Sequence, residues 1–149
     1  MQHHKDYTRQ LYYLGVLDRS VGADFGCSTR SWAEQRSSEE RLIDDIESAQ
    51  QWGKLPSDWS RCRLVSVDVT KHGLKLTDAS DGMVLDRIAL FHIVQCVSYE
   101  NGFGHFCVVF LVQKPLNKSI QCYVFQTSII ADADYICKQL DEVFNAAVK

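Results

Sequence analysis

The last third of the chain limits the fold more than any other part of the sequence. Three short apolar runs follow one another there, Ile93 to Tyr99, Phe106 to Val112 and Ile120 to Phe125. Each run has the length of a strand, and turn residues separate it from the next. Apolar residues then recur every three or four positions from Ala133 to Ala147, which predicts an amphipathic helix. The pattern predicts an antiparallel sheet that ends in a C-terminal helix.

The N-terminal part of the chain predicts a strand, a loop and a helix. Leu11 to Leu17 has the composition of a strand. Asp18 to Arg36 is rich in polar residues and glycine, which predicts a long surface loop. A helix is expected from Ser37, because Ser37 and Glu40 have the spacing of a capping box. Gly53 is placed to end this helix.

The segment that follows the helix predicts four strands before Phe106. They are Leu64 to Val69, Leu74 to Thr77, Met83 to Leu85 and Ile88 to Tyr99. The element order is then strand, helix, six strands and helix. We therefore predict an α+β fold that is mainly β. It is a seven-stranded antiparallel sandwich or open barrel capped by the C-terminal helix, one domain over residues 1–149 with its core at 11–148.

Composition and charge argue against several classes of protein. The net charge of −3 provides no basic surface for nucleic acid. The longest apolar stretch, Phe106 to Val112, is far shorter than the roughly 20 residues of a membrane-spanning helix. The N-terminal residues lack the apolar core of a signal peptide. We therefore expect a cytoplasmic location, with the nucleus and the inner face of the plasma membrane left open as further locations.

The sequence contains few features that indicate catalysis or metal binding. It contains no GxGxxG, P-loop, HExxH or GxSxG motif. His92, Cys96, His105 and Cys107 could meet across a hairpin as a zinc site, but zinc ligands are usually spaced more closely. Core thiols beside two histidines near turns are the preferred interpretation. We predict no catalysis, no metal and no cofactor.

The cysteines are expected to be reduced. The chain has six, none of them in a CxxC pair: Cys27, Cys62, Cys96, Cys107, Cys122 and Cys137. Without a secretory signal, thiols that pack as small hydrophobic side chains are favoured over three disulfides.

Several stretches resemble a known type of domain. Tyr12 to Asp18 is an aromatic and apolar strand with one glycine that ends in an acid. Further stretches are Ile46 to Pro56 with AQQWGKLP, Leu85 to Gly104 with YENGFG, and Tyr123 to Phe144. These resemble the Dab-like phosphotyrosine-binding (PTB) domains of the pleckstrin-homology superfold. The resemblance is strongest to the family of integrin cytoplasmic domain-associated protein 1, and it covers Leu11 to Val148.

The resemblance implies a peptide-binding adaptor for Asn-Pro-x-Tyr motifs. Its partners would be an integrin β cytoplasmic tail and a Krev-interaction-trapped-like scaffold, with membrane contact only through them and with monomer and homodimer both open. The peptide would add as a strand beside the C-terminal helix. The implied peptide-binding residues are Leu90, Ile93, Val94, Gln95, Val97, Tyr99, Leu140 and Phe144. For five of them the alternative is a role in the core alone: Leu90, Ile93, Val94, Leu140 and Phe144. The scaffold would contact Glu47, although Trp52 stands where the family has a second acid.

The positions of the basic residues bear on whether the domain binds phosphate groups. The strand Ile93 to Tyr99 contains no basic residue, and the nearest, Arg87, precedes it. Since a phosphate needs a basic partner, we expect binding that does not depend on phosphotyrosine.

The alternative function is a module for phosphoinositide headgroups at membrane surfaces. The basic residues available for it are Arg61, Arg63, Lys71 and Lys75.

Overall fold

Seven antiparallel strands and two long helices form the described part of the domain. The computed structural model describes residues 8–20, 32–57, 59–102, 104–116 and 118–148. In these ranges the strands are β1 (Thr8–Ser20), β2 (Arg63–Thr70), β3 (Gly73–Asp78), β4 (Val84–Ala89), β5 (Ile93–Glu100), β6 (Phe106–Val112) and β7 (Ser119–Thr127), and the helices are α1 (Trp32–Gln51) and α2 (Ile130–Ala147). Short 3₁₀ turns precede β2 and β5. In these same ranges, neither helix is long and apolar enough to cross a membrane.

The strands form one sheet in the order β4-β3-β2-β1-β7-β6-β5. The first strand along the chain therefore lies in the middle, and β4 and β5, which are consecutive in the chain, lie at the two edges. All six pairings are antiparallel. The predicted α+β fold, with seven antiparallel strands, a helix after the first strand and a C-terminal helix, is confirmed.

The two helices cover opposite faces of the sheet. On one face, α2 packs Ile136 and Leu140 into a hydrophobic cluster with strand residues. On the other face, α1 packs Leu42 and Ile46 into a second cluster. Complete burial of a side chain such as that of Ile136 stabilises the fold by about 1.5–3 kcal/mol.

Burial on both faces explains the apolar sequence of β6. Val108 belongs to the cluster under α2, while its neighbour Val109 belongs to the cluster under α1. Successive side chains of a strand point to opposite faces, so a strand covered on both sides has no polar positions. The continuous run from Phe106 to Val112 follows from this position.

The end of α1 agrees with the sequence, whereas its start does not. Gly53 has a φ of +80°, and the Lys54 N–H donates to the Ala49 carbonyl at 2.8 Å. This arrangement satisfies helix-end carbonyls as expected for a terminating glycine. The helix begins at Trp32 rather than at Ser37, and β1 continues to Ser20. The predicted loop is therefore shorter at both ends, and its remainder, residues 21–31, lies outside the described residues.

The boundary between β4 and β5 also differs from the prediction. The single expected strand Ile88 to Tyr99 is divided by a 3₁₀ turn at Leu90–His92, and Ile88 belongs to β4. Two hydrogen bonds fix this turn. The Leu90 N–H donates to the His72 carbonyl at 3.0 Å, and the Ile93 N–H donates to the Leu90 carbonyl. Apolar residues continue through the turn, so hydrophobicity did not reveal it.

Candidate functional site

A groove of about 680 Å³ runs between the edge strand β5 and the helix α2. Apolar side chains provide most of its walls, and one acidic and one basic residue lie among them. The lining residues are Leu90, Ile93, Val94, Gln95, Cys96, Cys137, Lys138, Leu140, Asp141 and Phe144.

One wall of the groove is the open edge of the sheet. In the described part of the chain, β5 pairs with β6 and no strand pairs with its other side. The pairing shifts by one residue between Ile93 and Gln95, so Val94 is the extra residue of a β-bulge. A bulge changes the face to which the following side chains point. Ile93 and Cys96 thus both face α2, although three positions separate them.

The groove has a buried floor and an exposed rim. Leu90, Ile93 and Leu140 belong to the core cluster and are almost completely buried. Val94 is 49% exposed and Phe144 is 37% exposed. The two exposed side chains therefore have apolar surface available to a ligand, while the three buried ones shape the site from beneath.

Two predicted site residues lie under α1 instead of in the groove, and a third contacts both. Val97 and Tyr99 pack in the cluster beneath α1, and neither lines the groove. Gln95 does line the groove, but its amide donates to the Glu39 carboxylate of α1 at 3.2 Å. Burial raises the pKa of the Tyr99 hydroxyl. Side chains of Val97 and Tyr99 thus cannot fill the groove. A role for their backbone in strand addition stays a prediction.

The structure adds residues that the sequence reasoning missed. Cys137 and Asp141 line the groove from α2, and their spacing from Leu140 and Phe144 is that of one helix face. Helical periodicity could have identified them. Phe91 is 68% exposed and lies beside Phe144. No sequence pattern indicated it, because it lies in the unexpected 3₁₀ turn.

The groove carries little net charge. Lys138 and Asp141 are the two charged residues of its lining. One positive and one negative side chain largely cancel at a distance. Arg87, the basic residue nearest to β5 in sequence from the N-terminal side, lies on the opposite edge strand β4.

Glu47 and Trp52 lie on and just after α1, outside the groove. The Glu47 side chain is exposed. Trp52 follows the last helical residue and is 81% exposed. An exposed acid and an exposed large aromatic ring are each compatible with a protein contact, but the ring carries no charge.

The histidines and cysteines considered for zinc do not come together. Cys96 faces α2, whereas Cys107 contacts Tyr99 on the α1 side of the sheet. The His105 ring lies 5.3 Å from the ring of Trp59. Within the described ranges, no group of three or more His, Cys, Asp or Glu side chains could hold a metal ion.

Two of the basic residues considered for phosphoinositides, Arg61 and Arg63, lie beside acidic residues. Arg61 and Arg63 line a second cavity, together with Asp78 and Asp81. The Arg63 guanidinium lies 3.2 Å from the Asp78 carboxylate. An anionic headgroup there would meet two carboxylates, so this cavity is a poor phosphate site.

The fold and the groove together define a class of protein. A seven-stranded antiparallel sheet with one helix after the first strand, and a C-terminal helix beside an open edge strand, is a pleckstrin-homology-like domain of the PTB type. A family model described as beta-1 integrin binding protein matches residues 29–149. The chain belongs to this family, which confirms the resemblance found in the sequence.

Two curated relatives agree with this membership. The chain is 30% identical over 109 residues to integrin beta-1-binding protein 1 of Mus musculus, and equally to that of Bos taurus. The alignments cover 72% of this chain and 54% of each relative. The chain therefore spans about half the length of these relatives.

Proposed function

We propose that the domain is a non-enzymatic adaptor that binds the Asn-Pro-x-Tyr segment of an integrin β cytoplasmic tail. The observation that carries the proposal is the open edge of β5 beside an apolar groove. An extended peptide can bond to the unpaired backbone of such an edge and place alternate side chains in the groove. The names of the curated relatives, integrin beta-1-binding protein 1, support the choice of an integrin tail.

The bound peptide would lie antiparallel to β5. Its backbone hydrogen bonds would supply affinity, because both partners are already extended. Apolar side chains of the peptide would pack on Val94 and Phe144, the exposed part of the groove. Where the Asn-Pro turn redirects the peptide, the tyrosine ring would leave the strand and contact the side of the groove.

Phosphorylation of this tyrosine would not improve binding. A phosphate gains most from an arginine or a pair of basic side chains. Lys138 is the one basic residue of the groove lining, and Asp141 lies in the same lining. The gain from the lysine would therefore be offset by repulsion from the carboxylate.

A Krev-interaction-trapped-like scaffold is a second proposed ligand of the same groove. This part rests on the sequence resemblance, with the exposed Glu47 as a charged contact outside the groove. Trp52 replaces a second acid, so we expect a weaker electrostatic contribution than in the family. The proposed locations are the cytoplasm and, through the integrin, the inner face of the plasma membrane.

Calorimetric titration with an integrin β1 tail peptide tests the proposal. We expect a dissociation constant in the micromolar range, typical of transient peptide recognition, which corresponds to about −8 kcal/mol. A peptide with Tyr→Ala should bind at least tenfold more weakly. If the two peptides bind equally, the Asn-Pro-x-Tyr assignment is wrong.

The two edges of the sheet provide a matched pair of variants. Val94 on β5 and Val84 on β4 are the same residue type, on edge strands, with exposures of 49% and 44%. Val94→Asp should weaken peptide binding at least tenfold, whereas Val84→Asp should leave it unchanged. Equal effects of both variants would place the peptide elsewhere.

A further inference from the structure

Two thiols meet inside the groove. The Sγ atoms of Cys96 on β5 and Cys137 on α2 lie 3.1 Å apart. Both residues are free cysteines, both are partly exposed, and both line the groove. A disulfide requires a sulfur–sulfur separation of about 2.05 Å. A relative movement of about 1 Å between strand and helix would therefore bring the two sulfurs to bonding distance.

Two of the other described thiols lie in the core. Cys107 and Cys122 are buried beneath the α1 side of the sheet, and burial raises the pKa of the Cys122 thiol to about 11. A buried thiol with a raised pKa reacts slowly, because the thiolate is the nucleophile. Reactivity is thus favoured at the groove pair over these core cysteines.

We propose that Cys96 and Cys137 are a redox-responsive thiol pair, which a hydroperoxide oxidises to a disulfide that joins α2 to the edge strand β5. The proposal stands on the contact of the two sulfurs and on their access from the groove. A thiol without a neighbouring thiol can be oxidised only to a sulfenic, sulfinic or sulfonic acid, or form a disulfide with another molecule. A pair in contact can instead form a reversible internal bond.

Within this proposal we assign the first attack to Cys137, the thiol of the pair whose pKa is lowered. Hydrogen bonds to its sulfur from the Cys96 thiol and the Ser98 hydroxyl lower the pKa of Cys137, against opposing effects of burial, Asp134 and Asp141. The hydrogen bond with Cys137, followed by partial burial, raises the pKa of Cys96. Lys138, next to Cys137 in sequence, is the other charged residue of the groove lining besides Asp141.

The chemistry is a two-electron oxidation. The Cys137 thiolate attacks one peroxide oxygen, the O–O bond breaks, and the released alkoxide or hydroxide takes up a proton. The resulting sulfenic acid is attacked by Cys96, which forms the S–S bond and releases water. The two thiols lose two electrons in total, and the peroxide gains them. An added dithiol reverses the reaction by exchange.

The disulfide would restrict the proposed peptide site, a consequence that rests on the proposed function. The sulfurs of Cys96 and Cys137 already touch, so the effect of a bond between them is to prevent α2 from moving away from β5. A ligand whose binding requires strand and helix to move apart would then bind more weakly. We expect the oxidised domain to bind the integrin peptide at least tenfold more weakly than the reduced domain.

Mass spectrometry tests the thiol pair without any ligand. All proteins carry Cys27→Ser, since Cys27 lies outside the described residues. After treatment with hydrogen peroxide, we expect a mass loss of two hydrogen atoms. Digestion should then yield a disulfide-linked pair of proteolytic peptides, one with Cys96 and one with Cys137, which dithiothreitol separates. Cys62→Ser should behave in the same way, whereas Cys137→Ser should not form the link. If Cys137 is completely oxidised and no disulfide to Cys96 is found, the proposal is overturned.

Peptide titration then tests the effect on the groove. The ratio of reduced to oxidised affinity is compared within each protein, so a direct effect of a substitution cancels. We expect a ratio of at least ten for the Cys27→Ser protein and a ratio near one for Cys27→Ser with Cys137→Ser. A ratio near one in both would overturn the regulatory effect. If the reduced protein binds no integrin peptide, the proposed function fails, and the mass measurement still decides the thiol pair.

Discussion

The rings of Phe91 and Phe144 lie against each other, with centroids 5.9 Å apart and planes inclined by 55°. Phe91 belongs to the 3₁₀ turn before β5, and Phe144 belongs to the last turns of α2. The pair therefore joins the start of the edge strand to the end of the helix beside the groove. Both rings keep exposed surface, so they can contact each other and a ligand.

Phe144→Ala should weaken peptide binding more than it weakens the fold. The variant removes an exposed ring from the groove, and we expect a five- to tenfold loss of affinity, about 1–1.4 kcal/mol. The cost in stability should be well below the 3–5 kcal/mol of a buried phenylalanine, because 37% of the side chain is exposed. Calorimetry and urea unfolding measure the two quantities.

Ile130→Ala is the matched control for this prediction. Ile130 is an exposed apolar residue of the same helix but lies in its first turn, away from the groove lining. Its truncation should leave the affinity within twofold. A similar loss in both variants would show that the helix as a whole, rather than the Phe144 ring, controls binding.

Phosphorylation of the peptide tyrosine should leave its affinity within threefold of the unmodified peptide. The groove lining offers a phosphate Lys138 but also Asp141. We further expect Asp141→Asn to shift the preference toward the phosphopeptide, because the lysine is then unopposed. Fluorescence anisotropy with both peptides measures this. A tenfold preference of the unsubstituted domain for the phosphopeptide would contradict the charge argument.

Gly73→Ala should destabilise the domain strongly. Gly73 has a φ of +130°, and a Cβ placed there would lie 2.0 Å from the Ile88 carbonyl oxygen and 2.7 Å from the Leu90 nitrogen. Backbone has to move to relieve such contacts, so we expect a loss of about 3 kcal/mol or more in the free energy of unfolding. Urea denaturation followed by circular dichroism measures it, and failure to fold is the extreme of the same result.

Gly82→Ala separates steric conflict from the cost of positive φ alone. Gly82 has a φ of +76°, but a Cβ there would meet no atom within 4 Å. We expect a loss of about 1–2 kcal/mol, the cost of a left-handed conformation. If both glycine variants lost the same free energy of unfolding, the close approach of β3 to the chain before β5 would not contribute to the cost of Gly73→Ala.

Asp78→Asn should weaken the dependence of folding stability on pH in the acid range. Hydrogen bonds from the Ser80 hydroxyl and backbone N–H, followed by the Arg63 charge, hold the pKa of the Asp78 carboxyl below its ordinary value. A group whose pKa is lower in the folded state adds stability above its unfolded pKa of about 3.9, and this is lost as the pH falls through the folded pKa.

Thermal unfolding between pH 7 and pH 2 measures the effect. Asp78→Asn should lower Tm by about 2–4 °C at pH 7, and the difference from the unsubstituted domain should shrink below about pH 4. Asp44→Asn, on the exposed face of α1, is the control and should change neither. A Tm difference that is constant across this pH range would show that the carboxylate charge of Asp78 is not involved.

The strands and helices could be predicted because each depends on a repeating pattern of burial. The sequence of β6 is apolar at every position since both faces are covered, and Ile136 and Leu140 repeat at the spacing of the buried stripe of α2. Gly53 marked the end of α1, because few other residues adopt its backbone conformation. These signals are local and strong.

The groove could be predicted only in part, because its geometry depends on breaks in those patterns. The bulge at Val94 and the turn at Leu90–His92 determine which side chains face α2, and neither leaves a periodic signal. Val97 and Tyr99, which the sequence places among the peptide-binding residues of β5, pack under α1, and their part in strand addition stays a prediction. The contact of Cys96 with Cys137 joins two elements that are distant in sequence, which single-sequence patterns do not report.

The central position of β1 has a consequence for how this domain is made. As a ribosome extends the chain, β1 appears before the other strands of the described sheet, yet Leu17 finds its partner Cys122 only when β7 has been synthesised. Pairing over such a separation is slow, because a long loop has to close first. Throughout that interval one side of β1 presents unpaired backbone that can join other unfinished chains. We expect that side of β1 to be the surface that chaperones protect during translation.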